Sequence, residues 1–144
     1  QAFKFHSQGN ISEAAKLYKY CINQGINDHR IFSNYGTILR DLGKLQEAEF
    51  STRKAIELNL DSAMVHYNLG IILKDIGKLK EAELSYRKAI EIKPNYAEAH
   101  SNLGIVLINL GKMQEARLCS EKAMSIRSWS IVGSYCFNYE MKLD

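Results

Sequence analysis

His66 and His100 stand 34 residues apart, an interval at which repeated folds set equivalent side chains on neighbouring elements. Two imidazoles so placed could share a metal ion or relay a proton. No third ligand recurs beside them, and the same position one interval earlier is Phe32. Imidazole then serves as a flat, partly apolar plate in a slot that an aromatic ring also fills, so no metal site is expected. Cys21, Cys119 and Cys136 are odd in number, far apart and without CxxC or Cys/His spacing, which argues against a zinc or disulfide framework. Cys21 shares its column with Ala55, Ala89 and Ala123, where small size is explanation enough. Cys119 and Cys136 have no nearby His or Lys pattern that would activate a thiolate. Phosphate loops, HExxH and nucleophile elbows are absent. Neither catalytic residues nor a cofactor are expected in this segment.

The elements that would position any site are visible by repetition. Gly9, Gly43, Gly77 and Gly111 are each 34 residues apart, and each is followed by a Glu-Ala pair: Glu13-Ala14, Glu47-Ala48, Glu81-Ala82 and Glu115-Ala116. A fixed period of this size marks a solenoid. Residues 29–62, 63–96 and 97–130 form three full units, 1–28 most of another, and 131–144 begin something further. Within a unit the apolar residues fall at helical spacing in two stretches, such as Val65, Leu69, Ile72, Leu73 and Ile76, then Leu79, Ala82, Tyr86, Ala89 and Ile90. Each unit therefore reads as two helices. The glycine between them sits where a left-handed C-cap is needed, and Asn27, Asp61 and Asn95 are candidate N-caps for the following unit. Small residues at Gly36, Gly70 and Gly104, facing the alanines of the second helix, mark where two helices approach closely.

The residues Asn68-Leu69-Gly70, Leu73, Gly77, Ala82, Tyr86, Ala89 and Pro94 resemble the tetratricopeptide repeat (TPR) pattern, and the likeness extends over residues 1–130. It implies an all-α fold: an α-solenoid of helix-turn-helix repeats forming a right-handed superhelix. The chain departs from the pattern where His66 and His100 replace an aromatic, and where Ile26, Leu60 and Ser128 stand in place of the closing proline seen at Pro94. Residues 131–144 read as a C-terminal capping or linker helix, with Val132, Cys136, Tyr139 and Leu143 as one stripe that could cover the edge of the third unit.

The resemblance also implies where a partner lies, because stacked helix pairs offer a concave wall lined by first helices. Asn34, Asn68 and Asn102 repeat in one inward column, and an amide that both donates and accepts can grip an extended peptide backbone. The competing reading is that these asparagines brace a neighbouring helix. Tyr67, Ile71, Ile105 and Ile108 would take side chains of the peptide, and Arg40-Asp41 and Lys74-Asp75 would give one end a mixed charge. Ser33, Tyr67 and Ser101 occupy the column where a clamp for a C-terminal carboxylate needs lysine, which disfavours that class of partner. The runs His66-Tyr67-Asn68-Leu69-Gly70 and His100-Ser101-Asn102-Leu103-Gly104 resemble the TPR domains of O-GlcNAc transferases and SPINDLY-like proteins. That likeness implies a second reading: the substrate-selecting part of a larger transferase whose catalytic domain lies outside this chain.

Composition agrees with an interaction module. The chain has 144 residues, 46% apolar and 24% charged, with net charge +3, which excludes disorder and gives no electrostatic case for nucleic acid or an anionic membrane. No apolar run approaches the roughly 18 residues of a membrane span, and the first residues lack a secretory signal's apolar core. Arg53-Lys54, Arg87-Lys88 and Glu121-Lys122 form an outer stripe that Glu49, Glu57, Glu83 and Glu91 should balance. The expected partner is a protein or peptide and the expected compartment cytoplasmic, with weak self-association through uncapped ends or the groove as a third reading.

Overall fold

A computed structural model describes residues 2–140, with side chains described throughout except at Phe3, His6 and 129–140. Of the stripe expected at Val132, Cys136, Tyr139 and Leu143, the first three fall on the last helix at positions whose side chains are not described, and Leu143 lies outside the described residues. Eight helices and no strand occur among those described: α1 (Ala2–Ser7), α2 (Ile11–Asn23), α3 (His29–Asp41), α4 (Leu45–Leu58), α5 (Ala63–Ile76), α6 (Leu79–Ile92), α7 (Ala97–Asn109) and α8 (Met113–Glu140). The all-α solenoid expected from the period is the observed architecture.

Each unit folds as a pair. The tightest packing joins α3 to α4, α5 to α6 and α7 to α8, and the pairs stack because α4 also packs on α5 and α6 on α7. First helices touch one another as well, α3 with α5 and α5 with α7, while the described second helices show no comparable approach. The stack therefore curves with α3, α5 and α7 along its inner wall.

Local chemistry sets the helix ends. Gly43, Gly77 and Gly111 take φ of +75°, +92° and +76°, the left-handed turn that a side chain would resist. The N-caps fall one residue later than the sequence pattern predicts, at Asp28, Ser62 and Tyr96 in place of Asn27, Asp61 and Asn95. Asp28 wins over Asn27 because its carboxylate accepts from the Arg30 amide at 2.8 Å and also from the Arg30 guanidinium. Those bonds hold its carboxyl down to about 2. Helix α8 continues past Arg127, the register position at which the two earlier second helices end with Asn59 and Lys93.

The buried core falls into three clusters along the stack, around Tyr18 and Ile38, around Leu39 and Ile72, and around Tyr86. Leu69, Leu73, Tyr86, Leu103, Val106 and Leu107 pack in one cluster spanning α5, α6 and α7, the apolar stripes that the helical spacing marks out. Tyr86 reaches the α5 axis because Gly70 has no Cβ: a methyl there would sit 2.7 Å from the ring.

Ion pairs tie the units together on the outer face. Glu49 accepts from Arg53 at 2.9 Å and from Lys78 at 3.0 Å, and Arg53 reaches on to Glu81 at 2.7 Å. One period later Glu83 accepts from Arg87 and Lys112, each at 2.9 Å, and Arg87 reaches Glu115. Burial works to raise the pKa of Glu49 and Glu83, but the hydrogen bonds from these cations outweigh it and hold both carboxyls below the ordinary range. The sequence expectation of a balanced outer stripe is met on α4 and α6, where Lys54 also pairs with Glu57 and Lys88 with Glu91.

Candidate functional site

The inner wall is built from side chains on α3, α5 and α7 that the core does not consume. Asn34, Asn68 and Asn102 are each half-buried there. Their hydrogen bonding differs. Asn34 donates from Nδ2 to the Tyr18 hydroxyl at 3.2 Å. Asn102 donates from Nδ2 to the Tyr67 hydroxyl at 3.0 Å and to the Glu98 carbonyl at 3.2 Å. Asn68 makes no side-chain hydrogen bond among the described residues: Thr52 stands in the column of Tyr18, with its buried hydroxyl unpartnered, and Ser33 in the column of Tyr67. One column thus holds two braced amides and one free amide between them.

Tyrosines divide the wall into an open end and a filled end. The Tyr67 ring lies 4.9 Å from Tyr96 and 5.9 Å from Tyr86, centroid to centroid, with Lys93 Nζ 4.7 Å above Tyr96. Burial pushes the Tyr67 and Tyr96 phenols up from their ordinary value. One unit earlier the same two columns hold Ser33 and Ser62. There the wall opens into a cavity of about 780 Å³ between α2, α3 and the start of α5, lined by Tyr18, Ile31, Asn34, Met64 and Val65, with the Cys21 side chain at its edge. Its walls are largely apolar, but Asn34 stands at one side and the buried Ser33 hydroxyl is unpartnered. Such a cavity suits a large apolar side chain flanked by a backbone polar group.

The other inner-wall residues are placed as follows. Ile105 and Ile108 stand half in solvent on α7, whereas Ile71 packs onto the core cluster and offers only part of its surface. Arg40 is turned onto Asp41 at 2.7 Å, so that pair is internally neutralised. Lys74 and Asp75 enter no ion pair among the described residues. Sequence reasoning marks Met64 as an inward apolar anchor but passes over Tyr18, Cys21, Ile31 and Val65 as lining residues beside it. The available signal was the alternation of Ser33 with Tyr67 and of Ser62 with Tyr96 in matched columns.

His66 and His100 are packing residues with one hydrogen bond each. Both are buried, with Nε2 2.9 Å from the Leu60 and Pro94 carbonyls respectively. A carbonyl only accepts, so each Nε2 carries the proton and the ring anchors the corner between units. The bond is the same whether the corner residue is leucine or proline.

A family model described as Tetratricopeptide repeat matches residues 29–62 and 97–128, and one described as TPR repeat matches residues 72–111. No curated protein matches. Among solved structures, a crystal structure of MamA superposes with TM-score 0.86 at 22% identity, covering 90% of this chain and 76% of that one. A further MamA protein structure gives TM-score 0.82 at 27% identity over 88% of this chain and 69% of that one. YrrB, described as a TPR protein with an unusual peptide-binding site, gives 0.82 at 21% identity over 95% of this chain and 71% of that one. The likeness to O-GlcNAc transferase and SPINDLY-like domains, drawn from the runs at 66–70 and 100–104, finds no support in these comparisons.

Proposed function

Since this chain belongs to the tetratricopeptide repeat family, we propose that it is a protein-interaction module holding an extended segment of another protein along α3, α5 and α7. The observation that carries this reading is the 780 Å³ cavity beside Asn34, open on the inner wall and lined largely by apolar side chains, with Asp28, His29 and Arg30 also lining it. A large apolar residue of the segment enters it. Asn68, the amide with no internal partner, donates to and accepts from the segment's backbone, while Asn34 and Asn102 keep their carbonyl oxygens for it. Ile105 and Ile108 receive further apolar residues toward α7, and Lys74 and Asp75 face charged ones. YrrB, with the same fold, is described as having a peptide-binding site, which fits this reading.

Panning a display library of random peptides against the protein tests it. Enriched peptides should share a large apolar residue, and Met64→Glu should remove their binding while the helical circular dichroism signal stays. Failure to enrich any sequence sinks the proposal. The reading of these repeats as the substrate-selecting part of a transferase rests on the sequence likeness alone. A catalytic domain encoded beyond Asp144 would carry it and a stop codon there would remove it.

A further inference from the structure

The outer face carries a regularity that the inner groove does not use. Phe50, Leu84 and Leu118 occupy one column on α4, α6 and α8 and are 72%, 68% and 65% exposed. One exposed apolar residue needs no explanation, but three in register make a ridge. Three residues before each stands a glutamate, at Glu47, Glu81 and Glu115, and four residues after each a lysine, at Lys54, Lys88 and Lys122. On a helix these two positions lie on the same side of the central residue, one turn below and one turn above. Each unit therefore shows the same triplet of acid, apolar residue and base.

We propose that this face pairs with the same face of a second copy of the chain, the helices antiparallel. This face is the convex one, so rotation by half a turn about a line through Leu84 along the ridge sets Leu84 on Leu84 at the centre of the contact, with Phe50 facing Phe50 and Leu118 facing Leu118 to either side. It also lays Lys54 of each copy over Glu47 of the other, Lys88 over Glu81 and Lys122 over Glu115. Parallel helices would set lysine on lysine and glutamate on glutamate, so the charge pattern itself selects the antiparallel pair. A different partner would have to repeat apolar residues at the pitch of this solenoid, which a second copy does by construction. The contact is isologous and closes at two chains.

Two further features fit this occupant. The charges on both sides of the contact are engaged only in exposed pairs, Lys54 with Glu57, Lys88 with Glu91, Glu47 with Lys44, Glu81 with Arg53 and Glu115 with Arg87, which cost little to exchange or share. Beside Phe50 lies an apolar cavity of about 390 Å³ lined by Ile22, Phe32, Tyr35 and Leu39, which receives the ring of Phe50 from the second copy. In the same unit Ala15 and Lys19 hold the columns of Glu49 and Arg53, so the ion-pair clasp that spans later units is missing among the described residues between α2 and α4.

Sedimentation velocity of the full chain over a wide concentration range tests the pairing. The expected result is a reversible monomer–dimer equilibrium. Leu84→Lys alters an exposed side chain, so the circular dichroism spectrum should hold while dimer affinity falls about tenfold or more. Lys54→Glu should weaken the dimer, and adding Glu47→Lys should restore it. Leu84→Cys should cross-link to itself under mild oxidation well beyond the level that the native thiols produce. A monomer at every concentration overturns the proposal, as does a Leu84→Lys variant that dimerises like the parent. No recovery in the Glu47→Lys, Lys54→Glu double variant also overturns it.

Discussion

The Tyr96 ring lies against the Tyr67 ring, centroids 4.9 Å apart, in the space that Ser62 and Ser33 leave open one unit earlier. The same backbone thus presents a filled wall at α5–α7 and a cavity at α3–α5. Replacing both serines, Ser33→Tyr with Ser62→Tyr, should close the cavity in the way the next unit is already closed. Peptides selected by panning should then lose at least about tenfold in affinity by calorimetry, with thermal stability kept or raised. Unchanged affinity would move the anchor point away from this cavity.

Asn68 and Asn34 should respond differently to removal. Asn68→Ala deletes an amide that nothing inside the protein uses, so stability should stay within about 0.5 kcal/mol while peptide affinity falls. Asn34→Ala also leaves the Tyr18 hydroxyl without its donor, and should cost stability of about 1 kcal/mol in urea unfolding. Equal stability losses in both variants would contradict the division between braced and free amides.

Gly70→Ala tests the helix crossing. The new Cβ would lie 2.7 Å from the Tyr86 ring, which is fully buried and has no room to swing, so a loss of about 1–3 kcal/mol is expected in chemical denaturation. At Gly104 the nearest atom to a new Cβ is the Ala116 carbonyl oxygen at 3.4 Å. Gly104→Ala should be far milder, since the relief of glycine's helix penalty offsets the small adjustment.

The outer ion pairs make stability depend on acidity. Glu49 and Glu83 have folded pKa values held below the ordinary carboxylate value, so the folded state binds fewer protons there than the unfolded chain. Their contribution is present above the unfolded value of about 4.3 and is lost as pH falls through the folded values. Urea midpoints should therefore drop as pH goes below about 4.3, and Glu83→Gln should flatten part of that drop. At neutral pH Glu83→Gln should cost about 1–2 kcal/mol, because Arg87 and Lys112 lose the carboxylate charge they share. A pH profile identical to the parent would rule out the clasp as a source of stability.

The helices and their period are legible in the chain because their causes are local. The turn at Gly77 needs only a residue that accepts φ of +92°, and the stripe Val65, Leu69, Ile72, Leu73 needs only helical spacing. At the first corner the N-cap moved by one residue because Asn27 and Asp28 can both cap, and the choice rests on where the Arg30 amide points. The binding wall is a different matter. Asn34, Asn68 and Asn102 are identical letters in one column, yet the state of each amide depends on Tyr18, Thr52 or Tyr67, which reach it from another helix. The cavity likewise exists because Ser33 on α3 and Ser62 at the start of α5 fail to meet where two tyrosines do. A repeat period records what the units share, whereas a site is made from the side chains that differ, and their reach across helices is settled only when the units stack.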